Sequence, residues 1–70
     1  MTVVKKRVGI LIVGNFYTYT VYEIKDAKGG VFYIAEPRGV GATRSAKTVD
    51  ELHKVLTLDL PMLNLITRQR

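Results

Sequence analysis

Residues 3–25 read VVKKRVGILIV, then GN, then FYTYTVYEIK, and the reading of this stretch decides the fold. Val, Ile, Tyr and Thr dominate both arms. These residues fit a pleated, half-buried surface, so 3–13 and 16–25 are expected to be strands. Gly14-Asn15 between them suits the positive φ angles of a two-residue hairpin turn. Pairing Val13 with Phe16 sets Ile12 opposite Tyr17, Ile10 opposite Tyr19 and Val8 opposite Val21. Lys6 then faces Glu23, an opposite-charge pair across the ladder. Working outward, Asp26-Ala27-Lys28-Gly29 has Asp first and Gly last, the chemistry of a type I turn closed by a left-handed glycine. Val31 to Ala35 reads as a third strand, stopped by Pro37.

The segment from Arg38 to Lys47 reads as a loop with two glycines and three basic residues. Thr48 and Glu51 form a capping-box pair, in which the threonine hydroxyl accepts from a first-turn N–H and the glutamate reaches back. Val49, Leu52, His53 and Leu56 follow at the spacing of one helical face. This helix should end near Leu58, because Pro61 forbids its smooth continuation. For 60–70 two readings stand, a second short helix or a fourth strand over 63–67. The expected fold is therefore one small α+β domain over 1–70. It comprises a three-stranded antiparallel meander, one capped helix and a short C-terminal helix or strand.

In the expected register one sheet face carries Val8, Ile10, Ile12, Tyr17, Tyr19, Val21, Tyr33 and Ala35. The other carries Leu11, Val13, Phe16, Tyr22, Ile24, Phe32 and Ile34, with Lys5, Arg7, Thr18 and Thr20 among them. A meander wetted on one side should alternate apolar and polar residues, whereas here both faces are apolar. One short helix covers one face only. The second cover is the tail, a curled sheet, or another copy of the chain, and the exposed apolar area favours a homodimer.

Size points the same way. A chain of 70 residues buries only about 60% of the surface exposed when unfolded. It has no cysteine for a disulfide, and one histidine without cysteine is a poor basis for a transition-metal site. No cofactor is expected. The longest apolar run, Val8 to Val13, falls far short of the roughly 20 residues that cross a bilayer. Lys5-Lys6-Arg7 before that run resembles the start of a signal peptide, but aromatic strand sequence stands where a cleavage site belongs. A cytoplasmic protein is the expectation.

The acidic residues already have structural tasks in turn, cap and ladder, apart from Glu36 and Asp59, which no spacing brings together. His53, on the expected buried edge of the helix, has no nucleophile near it in sequence. No enzyme is expected. The net charge of +5 and a pI near 9.8 favour acidic partners, either nucleic acid or an acidic protein surface. Gly41-Ala-Thr-Arg-Ser-Ala46-Lys47-Thr48 resembles a phosphate-binding P-loop. It departs from that motif at Ala46, where a glycine lets the backbone wrap phosphate. A milder anion site survives, made of helix N-terminal N–H groups with Arg38, Arg44, Lys47 and a Ser45 or Thr43 hydroxyl. Lys5 and Arg7 fall on one side of the first strand beside Thr18, Thr20 and Tyr22. Tyr17, Tyr19 and Tyr22 are candidates to stack on bases, with Tyr33 as a further one.

From Tyr22 to Leu56 the chain runs strand, glycine-containing turn, the strand Val31–Ala35, Pro37, Gly39 and then Lys47-Thr48-Val49-Asp50-Glu51-Leu52 opening a helix. This pattern is similar to the N-terminal part of HicB-type antitoxins, and the hairpin before Tyr22 departs from it. The resemblance implies an inhibitor that masks a small toxic ribonuclease. Two functions are therefore expected of a non-catalytic module. The first is nucleic-acid binding through Lys5, Arg7, Arg38, Arg44 and Lys47. The second is masking of a protein target through an apolar sheet face or an edge strand, as an antitoxin or an accessory protein of a phage or mobile element does.

Overall fold

The computed structural model describes residues 3–14 and 17–68. The chain forms four strands, β1 (Val4–Val13), β2 (Tyr17–Lys25), β3 (Val31–Pro37) and β4 (Arg44–Ala46), followed by helices α1 (Val49–Leu58) and α2 (Leu60–Arg68). The strands make one antiparallel sheet in the order β1-β2-β3-β4, so the fold is an α+β meander with a capped helix. β4 corrects the expectation of an irregular loop over 38–47. Three of its residues pair with β3, placing Ala35 opposite Arg44 and Tyr33 opposite Ala46. The tail takes the helical alternative. Pro61 sits in the first turn of α2, where its missing N–H costs nothing.

The hairpin register differs from the expected one at its turn end and agrees at the other. Val13 faces Tyr17, which leaves three residues in the connection instead of two. Two of the three, Asn15 and Phe16, lie outside the described residues, as does the expected Val13–Phe16 pair. The ladder shifts by one between Arg7 and Gly9, so Val8 is an extra residue on β1 and Lys6 faces Glu23 as expected. Between shift and turn every β1 side chain changes face relative to the β2 residues it was expected to accompany. Leu11 and Val13 join Tyr17, Tyr19 and Val21 on the helix side, while Ile10 and Ile12 stand with Thr18 and Thr20 on the opposite side. Gly14 makes the tighter approach possible. Its φ is +64°, and a Cβ there would lie 2.7 Å from Leu60 Cδ2 at the start of α2.

The Asp26 turn and the Thr48 cap form as the sequence indicates. Asp26 accepts from the N–H groups of Lys28 and Gly30, with Gly29 at φ +85°. The Thr48 hydroxyl caps α1 by accepting from Glu51 N at 3.1 Å. Leu52 and Leu56 of α1 and Leu63 of α2 pack on Val13, Tyr17, Tyr19, Val21 and Ala35 as the core. His53 is exposed, contrary to its expected place on the buried edge. Within α1, Leu52 and Leu56 are the buried residues facing the sheet, and His53 turns to solvent.

The helix layer is too short for the sheet. Ten residues of α1 span about 15 Å, against about 33 Å for the ten residues of β1. The molecule measures 43 × 19 × 16 Å. Its far end, where the Asp26 turn joins β2 to β3, carries no helix on either face.

Candidate functional site

The uncovered sheet face is the largest feature without a structural explanation. Alternation along the strands brings Lys5, Arg7, Ile10 and Ile12 of β1 beside Thr18, Thr20, Tyr22 and Ile24 of β2. Phe32, Ile34 and Glu36 of β3 continue the face. Ile12 is 59% exposed and Ile10 45%, high values for isoleucines in a sheet. The Arg38 N–H donates to Thr18 O at 3.0 Å, which extends the ladder and puts exposed Arg38 one step beyond Glu36.

Lys5 is the centre of this face's electrostatics. Its ammonium reaches across β2 to Glu36 Oε2 at 2.8 Å and stands 4.2 Å from the centroid of the Tyr22 ring. The hydrogen bond that Lys5 donates to Glu36, outweighing a smaller desolvation effect, raises the Lys5 pKa above its ordinary value. Both groups of this pair are well exposed, so salt and water screen it. The arrangement lays a cation on the face of an aromatic ring and tethers it there with a carboxylate.

The expected site residues thus divide. Lys5, Arg7 and Tyr22 come together on the open face. Arg38 and Lys47 are exposed on the connections flanking β4. Arg44 is engaged within the fold. Its Nε donates to Asp59 Oδ2 at 2.8 Å and its Nη2 to Asp59 Oδ1 at 3.1 Å. This two-pronged bond raises the arginine's pKa and ties β4 to the α1–α2 corner. The N-terminus of α1 is also a poor anion site. Thr48 already occupies the Glu51 N–H, and Asp50 and Glu51 place negative charge in the first turn.

Tyr17 and Tyr19 belong to the core and are not offered to a base. The Tyr17 hydroxyl donates to Asn64 Oδ1 at 2.9 Å. The Tyr19 hydroxyl is buried with no hydrogen-bond partner among the described residues, and burial pushes its pKa up. The two should therefore respond oppositely to phenylalanine. Tyr17→Phe loses a bond worth about 0.5–1.5 kcal/mol, whereas Tyr19→Phe removes an unsatisfied donor and is expected to be neutral or stabilising. Thermal melts of the two variants check this. Tyr33, the fourth tyrosine, donates to Glu23 Oε2 at 3.2 Å on the helix side. Phe32, passed over as a site residue, is the second aromatic on the open face. Its signal was the alternation with Tyr33, which had already set it beside Tyr22.

Among the described residues no group of three His, Cys, Asp or Glu could hold a metal ion, and no helix is long and apolar enough to cross a membrane. A hollow of about 350 Å³ lies on the helix side of the β1 edge, lined in part by Val8, Gly9, Leu11, Val21, Glu23 and Tyr33. No protein-family model, curated protein or solved structure matches the chain.

Proposed function

We propose that the chain is a non-catalytic module that binds single-stranded nucleic acid on its open sheet face, acting as a dimer. The observation that supports this reading is the gathering of Lys5, Arg7, Tyr22 and Phe32 on the one face the helices leave bare. Tyr22 and Phe32 on adjacent strands offer ring faces to bases. Arg7 and Arg38 are placed to meet phosphates, and Thr18 and Thr20 supply hydroxyls between them. A sheet of this kind suits splayed bases better than a duplex, because Ile10 and Ile12 would otherwise meet only charged backbone. Lys5 moves from Tyr22 and Glu36 to a phosphate as the base takes its place.

A second reading, docking on a protein target such as a toxin, rests on the exposure of the same isoleucines. Salt separates the two. Labelled single-stranded DNA and RNA, titrated at several salt concentrations, should bind with a log–log slope of about −0.7 per phosphate contacted. Arg7→Ala should weaken binding to all sequences alike and flatten the slope by a similar amount. Absence of binding at about 50 mM salt, where phosphate contacts are strong, rejects the nucleic-acid reading in favour of protein docking.

A further inference from the structure

We propose that two copies of the chain pair antiparallel along β1, with Ile10 facing Ile10 of the second copy across a two-fold axis normal to the sheet. β1 is one of the two outer strands of the sheet, so the hydrogen-bonding groups on its outer side face no strand among the described residues. From Val8 to Val13 it carries no charge, and Val8, Ile10 and Ile12 are 46%, 45% and 59% exposed. Outer strands are ordinarily guarded by charge. Here Lys5, Lys6 and Arg7 guard one half only, and the bulge at Val8 bends that half out of line with the rest.

The occupant follows from shape and charge together. In the antiparallel arrangement Val8 faces Ile12, Gly9 faces Leu11 and Ile10 faces itself. Directly opposed side chains share a face, so Leu11 of the second copy lies on the helix side, against Gly9. That is where the hollow of about 350 Å³ opens, and where a side chain on Gly9 would meet nothing within 4 Å. By symmetry the hollow of the second copy receives Leu11 of the first. Leu11 is only half-buried against its own core, so the strand carries a partly exposed leucine and an open space two residues apart, which its own copy matches in reverse. The basic triplets fall outside the paired segment at opposite ends, whereas parallel pairing would set them against one another. The two open faces become one continuous surface of eight strands, four from each copy. This pairing stands whether or not that surface binds nucleic acid.

The chain has no cysteine, so single substitutions read the geometry directly. Ile10→Cys should cross-link to itself under mild oxidation without oligonucleotide present, because opposed Cα atoms lie about 4.5–5.5 Å apart, within disulfide reach. Ile12→Cys should not, since its two copies stand roughly 13 Å apart along the strand. In sedimentation, Ile10→Asp should raise the dimer dissociation constant by at least about tenfold, because like charges meet on the axis. Circular dichroism checks that this variant folds; if it does not, the cysteine pair decides. A monomeric parent protein at high micromolar concentration overturns the proposal. So does preferential cross-linking of Ile12→Cys, dimerisation that requires added oligonucleotide, or a folded Ile10→Asp variant that remains dimeric.

Discussion

Leu56→Ala is expected to cost about 2–5 kcal/mol and to lower the melting temperature by more than about 10 °C. Leu56 is fully buried between the helix layer and the sheet, so truncation removes apolar area and leaves a cavity. The loss weighs heavily because a chain of 70 residues has a total stability of only about 4–10 kcal/mol at typical values per residue. Leu52, equally buried on the preceding turn, should behave alike. His53→Ala, between them in sequence but exposed, should stay within about 0.5 kcal/mol of the parent. Chemical denaturation of the three variants provides the comparison. A small effect at Leu56 would mean that the helix is not seated on the sheet.

Tyr22→Ala is expected to reduce affinity for single-stranded nucleic acid about 5- to 150-fold, the equivalent of about 1–3 kcal/mol for one stacked base. Stability should hardly change, because Tyr22 stands on the open face and not among the core residues. Glu36→Gln carries the opposite sign. In the free protein Glu36 holds Lys5 over the Tyr22 ring, so a phosphate competes with this carboxylate for the cation, and a base competes with the cation for the ring. Removing the negative charge should tighten binding and steepen its salt dependence by about one phosphate contact. Fluorescence anisotropy on the two variants beside the parent measures both effects. Equal affinity for all three proteins would place the nucleic acid elsewhere or exclude it.

Local chemistry made most of the fold readable. Asp26 and Gly29 specify their turn, Thr48 caps its helix, and Pro61 divides α1 from α2, each through interactions within a few residues. The hairpin was harder because two compensating irregularities, one at each end, return the strands to the same register at Lys6 and Glu23. A charge pair alone therefore could not reveal that the isoleucines change face. β4 was hidden for a different reason. Three residues are too few for a pattern, and what holds them is the pairing with β3 together with Arg44 bound to Asp59. The same ion pair withdraws Arg44 from the candidate site, a distant contact that no spacing announces. Tyr17, Tyr19 and Tyr22 are alike in sequence context, and only the side of the sheet they fall on separates core from platform.

The mismatch between a short helix layer and a long sheet has a dynamic consequence. Stability is concentrated where the leucines meet Val13, Tyr17 and Tyr19. Beyond the buried Ile24, the end bearing the Asp26 turn is held mainly by its own ladder, so its amides are expected to exchange with solvent ahead of those in the core. Tyr22 and Phe32 lie toward that end. A strand of nucleic acid laid across them would brace this end, and the molecule would register its ligand first as a loss of motion far from its core.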